Sequence, residues 1–114
     1  ISGIVLSTLK DYNLTRLTDP IIIQTFYIED LIRMRRLGTQ LRLFALITSN
    51  HVNESSTDYN YYQSESGIRD LSKIVQAVAP DYQLVVHFDN RGMILGPTNL
   101  TRWAHHYNLS VYPY

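Results

Sequence analysis

The sequence predicts an α/β fold built on a short parallel sheet, and three observations carry that expectation. Segments with helical spacing of apolar residues alternate with short apolar runs rich in β-branched residues. Those runs are near-continuously apolar rather than alternating, the pattern of strands covered on both faces. The 114 residues are 45% hydrophobic, enough for one small globular core and too few for two domains.

Each element follows in order. Ile1, Ile4, Val5, Leu9 and Tyr12 recur at helical spacing, as in the end of a helix that starts earlier, and Asp19-Pro20 breaks the pattern. Ile21–Gln24 reads as a buried strand. A helix over Ile28 to Leu37 carries Ile28, Leu31 and Ile32 as its buried stripe, a Glu29–Arg33 pair at i,i+4, and Gly38 as its stop. Leu43–Ile47 is a second strand. Ser49 to Ser66 is polar and has neither helical nor strand periodicity.

A third helix is expected from Gly67 to Val78, with Ser66 as N-cap and Ile68, Leu71, Val75 and Val78 on one face. The strand after it is contested. β propensity favours Leu84–His87, and the segment Val78–Pro80 is the alternative. Thr98 or Asn99 caps a fourth helix carrying Leu100, Trp103, Ala104 and Tyr107. Asn108 ends it in the left-handed conformation, and Val111–Tyr114 is the last strand.

Composition excludes several functions. Ten Lys and Arg balance ten Asp and Glu, so there is no electrostatic footprint for a nucleic-acid backbone. The absence of cysteine removes disulfides, thiolate metal sites and cysteine nucleophiles. No apolar run reaches the length of a membrane span. His51, His87, His105 and His106 form no HxxxH or HExxH, and His105 and His106 diverge by about 100° on a helix, so no metal site is expected from them. Arg33, Arg35, Arg36 and Arg42 read as a solvated basic face. Sequons start at Asn13, Asn53, Asn99 and Asn108. Asn53, in the polar loop, is the favoured acceptor, and the excess of sequons favours a secretory route and a glycoprotein.

Five short stretches, in order, resemble the glycerophosphodiester phosphodiesterase family. They are Ile21-Ile22-Ile23-Gln24-Thr25-Phe26 followed by Glu29-Asp30-Leu31; Leu43 to Ile47; Val78-Ala79-Pro80-Asp81-Tyr82; Ala104-His105-His106-Tyr107-Asn108-Leu109, with Asn108 where the family has Gly; and Val111 to Tyr114. Tyr59-Asn60-Tyr61 within a polar insertion is similar to the large-loop, secreted or periplasmic subgroup. The resemblance implies a partial TIM (β/α)8 barrel, the last four β/α units, spanning residues 1–114, with the N-terminal half of the barrel absent. It also places the third strand before Pro80. Both chain ends are expected to continue into a longer protein.

The resemblance implies a parent enzyme, a phosphoric diester hydrolase of lipid and glycerol metabolism. That parent would cleave a glycerophosphodiester to an alcohol and glycerol 3-phosphate with a divalent cation, calcium or magnesium. The family's His-Arg-Gly, its second catalytic His and its acidic metal ligands lie on earlier strands, and none of these motifs is present here. The chain alone is therefore expected to bind no cation and to be inactive and marginally stable. Gln24, Phe26 and Tyr114, at strand ends facing a barrel mouth, are the expected substrate contacts. Tyr59 to Tyr62 either line that mouth, bind a partner, or fold the loop on itself. A non-catalytic half-barrel binding or regulatory module is the alternative to the enzyme.

Overall fold

A computed structural model describes residues 1–52 and 55–114. The elements are α1 (Ser2–Asp11), β1 (Ile22–Thr25), α2 (Ile28–Arg36), β2 (Arg42–Ile47), α3 (Tyr59–Tyr62), α4 (Glu65–Ser72), β3 (Ala77–Pro80), β4 (Val86–Phe88), β5 (Ile94–Pro97), α5 (Asn99–His106) and β6 (Ser110–Val111). Short 3-10 turns occupy Asn50–Val52 and Tyr82–Leu84.

Four strands form one parallel sheet in the order β1-β2-β3-β6, and β4 and β5 form a separate antiparallel hairpin. The α/β expectation holds at this level. Within the sheet the order follows the chain without reversal, apart from the inserted hairpin. β2 explains how the layers form. Leu43, Ala45 and Ile47 are fully buried and join Ile28, Leu31, Ile68, Leu71, Leu100 and Ala104 from α2, α4 and α5 in one core. The alternate residues Arg42, Phe44 and Leu46 are only part-buried and face the other way. The period-2 geometry of a strand thus separates a helix-covered face from an uncovered one.

Several expectations need correction. β1 is not buried on both faces: Ile22 is 44% exposed, because β1 is an edge strand whose second face carries no helix. The polar stretch Ser49 to Ser66 is not patternless, since it holds a 3-10 turn and α3. The third helix starts and stops earlier than its periodicity implies. The Ser64 hydroxyl, not that of Ser66, accepts the Gly67 N–H at 3.1 Å, and the helix ends at Ser72. Val75 and Val78 still reach the core, but Val78 does so from β3. Glu29 does not pair with Arg33. It accepts the Thr57 hydroxyl at 2.7 Å, and Arg33 turns to Asp30 at 3.6 Å. The stripe of α1 is largely uncovered, with Ile1, Ile4 and Tyr12 exposed.

The contested strand resolves as Ala77–Pro80, between β2 and β6. The Leu84–His87 stretch splits between the 3-10 turn and the hairpin. Its β propensity is used, but outside the main sheet. Only Ser110 and Val111 are assigned to β6, yet the ladder continues. Tyr112 N–H donates to the Val78 carbonyl and Tyr114 N–H to the Pro80 carbonyl, both at 3.0 Å. Pro113 falls on the register position whose N–H would point away from β3, where a proline costs no ladder bond. Gly38 and Asn108 end their helices with φ of 91° and 64°, the left-handed geometry expected of them. Thr98 caps α5 by accepting the Leu100 N–H.

Candidate functional site

The uncovered face of the sheet is a groove of about 570 Å³. It is lined by Ile22, Gln24 and Phe26 from β1 and its end, Arg42, Phe44 and Leu46 from β2, Ala79 from β3, and Tyr112 and Tyr114 from the last strand. The three substrate contacts expected from sequence, Gln24, Phe26 and Tyr114, therefore stand together on one surface.

The groove is concave. β1 and the last strand are opposite edges of the sheet, which in a flat sheet would lie about 14 Å apart at the usual strand spacing. Yet the rings of Phe26 and Tyr114 meet edge-on with centroids 6.0 Å apart. Phe44 and Tyr112 stack at 5.1 Å and 11°, reaching over the intervening strand β3. β3 permits this because its residue on that face is the small, buried Ala79. Two aromatic bridges thus cross the groove at different heights.

Tyr114 is fixed by its backbone as well as its ring. Its carbonyl accepts the Tyr82 N–H at 2.8 Å, and its hydroxyl donates to the Ile47 carbonyl at 3.4 Å. Phe26 is held from behind. Tyr59, fully buried, donates its hydroxyl hydrogen to the Phe26 carbonyl at 2.8 Å, and Ser55 and Thr57 hydroxyls approach the same oxygen at 3.4 Å. The tyrosine run therefore folds the loop onto the end of β1. Tyr59 positions Phe26, while Tyr61 is exposed and hydrogen-bonds Asp70. Gln24 is exposed, and its amide has no protein partner among the described residues, so it is available to a ligand.

The basic cluster does not form one solvated face. Arg35 donates to the carbonyls of Ile74 at 2.8 Å and Thr39 at 2.7 Å and to Gln76 Oε1 at 3.2 Å, tying α2 to the turn before β3. Arg42 lies on β2 and lines the groove. Sequence reading missed Arg42, Phe44 and Tyr112 as groove residues. The signal was available in the alternation of Arg42, Phe44 and Leu46 against Leu43, Ala45 and Ile47, which an uninterrupted apolar run obscures.

Beside the groove floor, Asp19 is buried and its carboxyl is held below the usual carboxylate range. The main cause is the hydrogen bond from the Arg16 N–H at 2.8 Å, supported by the Arg16 side chain and the Thr15 N–H. Among the described residues, no group of three or more His, Asp or Glu side chains converges on a point. The groove itself offers one amide and two phenols, which does not fit a hard divalent cation that needs six or more oxygen ligands. No helix among the described residues is long and apolar enough to cross a membrane. Asn53 lies outside the described residues. No protein-family profile and no curated protein sequence matches the chain.

Proposed function

We propose that this chain is the second half of a (β/α)8 barrel of the glycerophosphodiester phosphodiesterase type, supplying the substrate-facing wall of an active site whose catalytic groups come from the first half. The observation that carries this reading is the four-stranded parallel sheet, in chain order, with helices on one face and an aromatic groove on the other. A doubly wound sheet would need helices on both faces and a reversal of strand order. A closed barrel instead turns alternate strand residues inward, where they meet in layers. Arg42, Phe44 and Leu46 follow that pattern.

Gln24, Phe26 and Tyr114 then stand at or near the C-terminal ends of their strands, the end at which barrel enzymes bind substrate. Phe26 and Tyr114 form an apolar wall for the glycerol or alcohol moiety, and the free Gln24 amide hydrogen-bonds the phosphodiester or a polar group beside it. In this reading the cation, calcium or magnesium, is held by side chains outside this chain, and the chain contributes binding and exclusion of water. The alternative, a non-catalytic module, keeps the same groove and loses the chemistry.

The test is steady-state hydrolysis of glycerophosphocholine by the full-length protein and by the 114-residue chain, each with added divalent cation. Turnover is expected from the first and not from the second. Phe26→Ala and Tyr114→Ala are expected to raise KM by roughly tenfold with a smaller change in kcat, since apolar walls bind ground and transition states alike. Turnover by the 114-residue chain alone would sink the half-site reading. No turnover by the full-length protein would favour the module.

A further inference from the structure

The groove is apolar except for Gln24, two phenols and one charge, and that charge is Arg42 at the start of β2. Its guanidinium makes one hydrogen bond to the protein, Nη2 donating to the Asp19 carbonyl at 3.3 Å, and its Nε is buried without an acceptor. The carboxylate of Asp19 does not serve it. That group is occupied by the N–H groups of Thr15 and Arg16 and by the Arg16 guanidinium. Arg42 belongs to neither the Arg16–Asp19 nor the Arg33–Asp30 ion pair. From the elements packed around it, β1 presents Ile22 and Gln24, β3 presents Ala79, and the last strand presents Tyr112 and Tyr114. None of these is an Asp or a Glu.

A surface covering this groove with apolar side chains alone would enclose a guanidinium in a low-dielectric interior with no counter-charge, which is strongly unfavourable. We propose that the surface that closes the groove, the other half of the barrel, places a carboxylate against Arg42 at the N-terminal end of the strands. One interior ion pair then fixes how the two halves register. The pair lies on the barrel floor, two inward-facing residues of β2 below Leu46, and so takes no part in binding at the mouth. The proposal rests on the half-barrel reading and is independent of the phosphodiesterase chemistry.

The experiment compares thermal midpoints of the full-length protein and its Arg42→Met and Arg42→Lys variants at about pH 5 and about pH 8. Removing the arginine strands a buried carboxylate whose folded-state pKa rises above its unfolded value. Stability is then retained at low pH and lost as pH rises towards the folded pKa. Arg42→Met is expected to lose roughly 5 °C or more at about pH 8 beyond its loss at about pH 5, with Arg42→Lys close to the parent at both. Complete unfolding of Arg42→Met at the higher pH alone counts in favour. Equal losses at the two pH values, or failure to fold at both, overturns the proposal. So does a rise in the parent's midpoint with added inorganic phosphate that Arg42→Met abolishes, because Arg42 would then hold a free anion. A pH-dependent loss without turnover on glycerophosphocholine would keep the ion pair and discard the enzyme. Turnover with a pH-independent loss would do the reverse.

Discussion

The two faces of the sheet are made from the same strands and have opposite fates. On one face of β2, Leu43, Ala45 and Ile47 are sealed by three helices. On the other, Phe44 and Leu46 are part-buried and Tyr112 is exposed, with only each other and their edge neighbours for company. Burial on the first face follows from covering helices within the chain. Order on the second comes from side chains that reach across the strands, in two aromatic pairs. An apolar residue on a strand therefore does not by itself predict a buried one; the layer across from it decides.

The sharpest way to break this comparison is to truncate neighbours on opposite faces. Leu43→Ala is expected to abolish the urea-unfolding transition of the marginally stable 114-residue chain, since the lost transfer energy and the residual cavity together cost about 2–5 kcal/mol. Phe44→Ala in the 114-residue chain is expected to cost under about 1 kcal/mol, since its ring leaves a half-open surface. Equal losses would mean that the groove is already covered in the 114-residue chain, for instance by a second copy. A smaller effect tests how tightly the helical layer is drawn together. A Cβ at Gly67 would stand 2.1 Å from the Tyr61 carbonyl oxygen, a backbone atom that cannot swing away. Gly67→Ala should then cost about 1–3 kcal/mol despite its better helix propensity. A neutral result in the same unfolding assay would show that α3 and α4 slide freely.

The smallest effect concerns the groove floor. Because the Asp19 carboxyl is held below its usual range by Arg16 and Thr15, it contributes stability that is fully present above its unfolded pKa, about 3.9. That contribution disappears as pH falls through the folded pKa. Asp19→Asn should therefore lower the thermal midpoint slightly at neutral pH, with the gap closing below about pH 4. A gap that persists in acid would assign the effect to geometry rather than charge.

Much of this was legible in the sequence because it is local. Gly38, Asn108 and Thr98 act on their own turns, and the alternation of helices and apolar runs gave the α/β class. What failed depended on distant partners. Gln76 Oε1 accepts both the Leu43 N–H and the Arg35 guanidinium, so the turn before β3 is set by groups more than 30 residues away. The candidate site was half legible. Gln24, Phe26 and Tyr114 follow from strand ends, while Phe44, Tyr112 and Arg42 needed the knowledge that one face lacks helices. Tyr59's grip on Phe26 spans 33 residues and has no sequence signature.

The hairpin inserted between β3 and α5 is pinched shut at its base. Thr98 N–H donates to the Val85 carbonyl at 2.7 Å, and its hydroxyl to the Leu84 carbonyl at 2.6 Å. The chain therefore leaves and rejoins the domain at nearly one point, and the twelve residues between 85 and 98 form a detachable branch rather than a link in the fold. Such a branch can lengthen, shrink or be exchanged in descent without disturbing the helix that follows it. It also carries Met93, Ile94 and Leu95, each more than 60% exposed. The branch point lies just beyond the end of β3, on the same rim of the sheet as Phe26 and Tyr114, so whatever the branch becomes, it varies beside the mouth of the groove and leaves the floor alone.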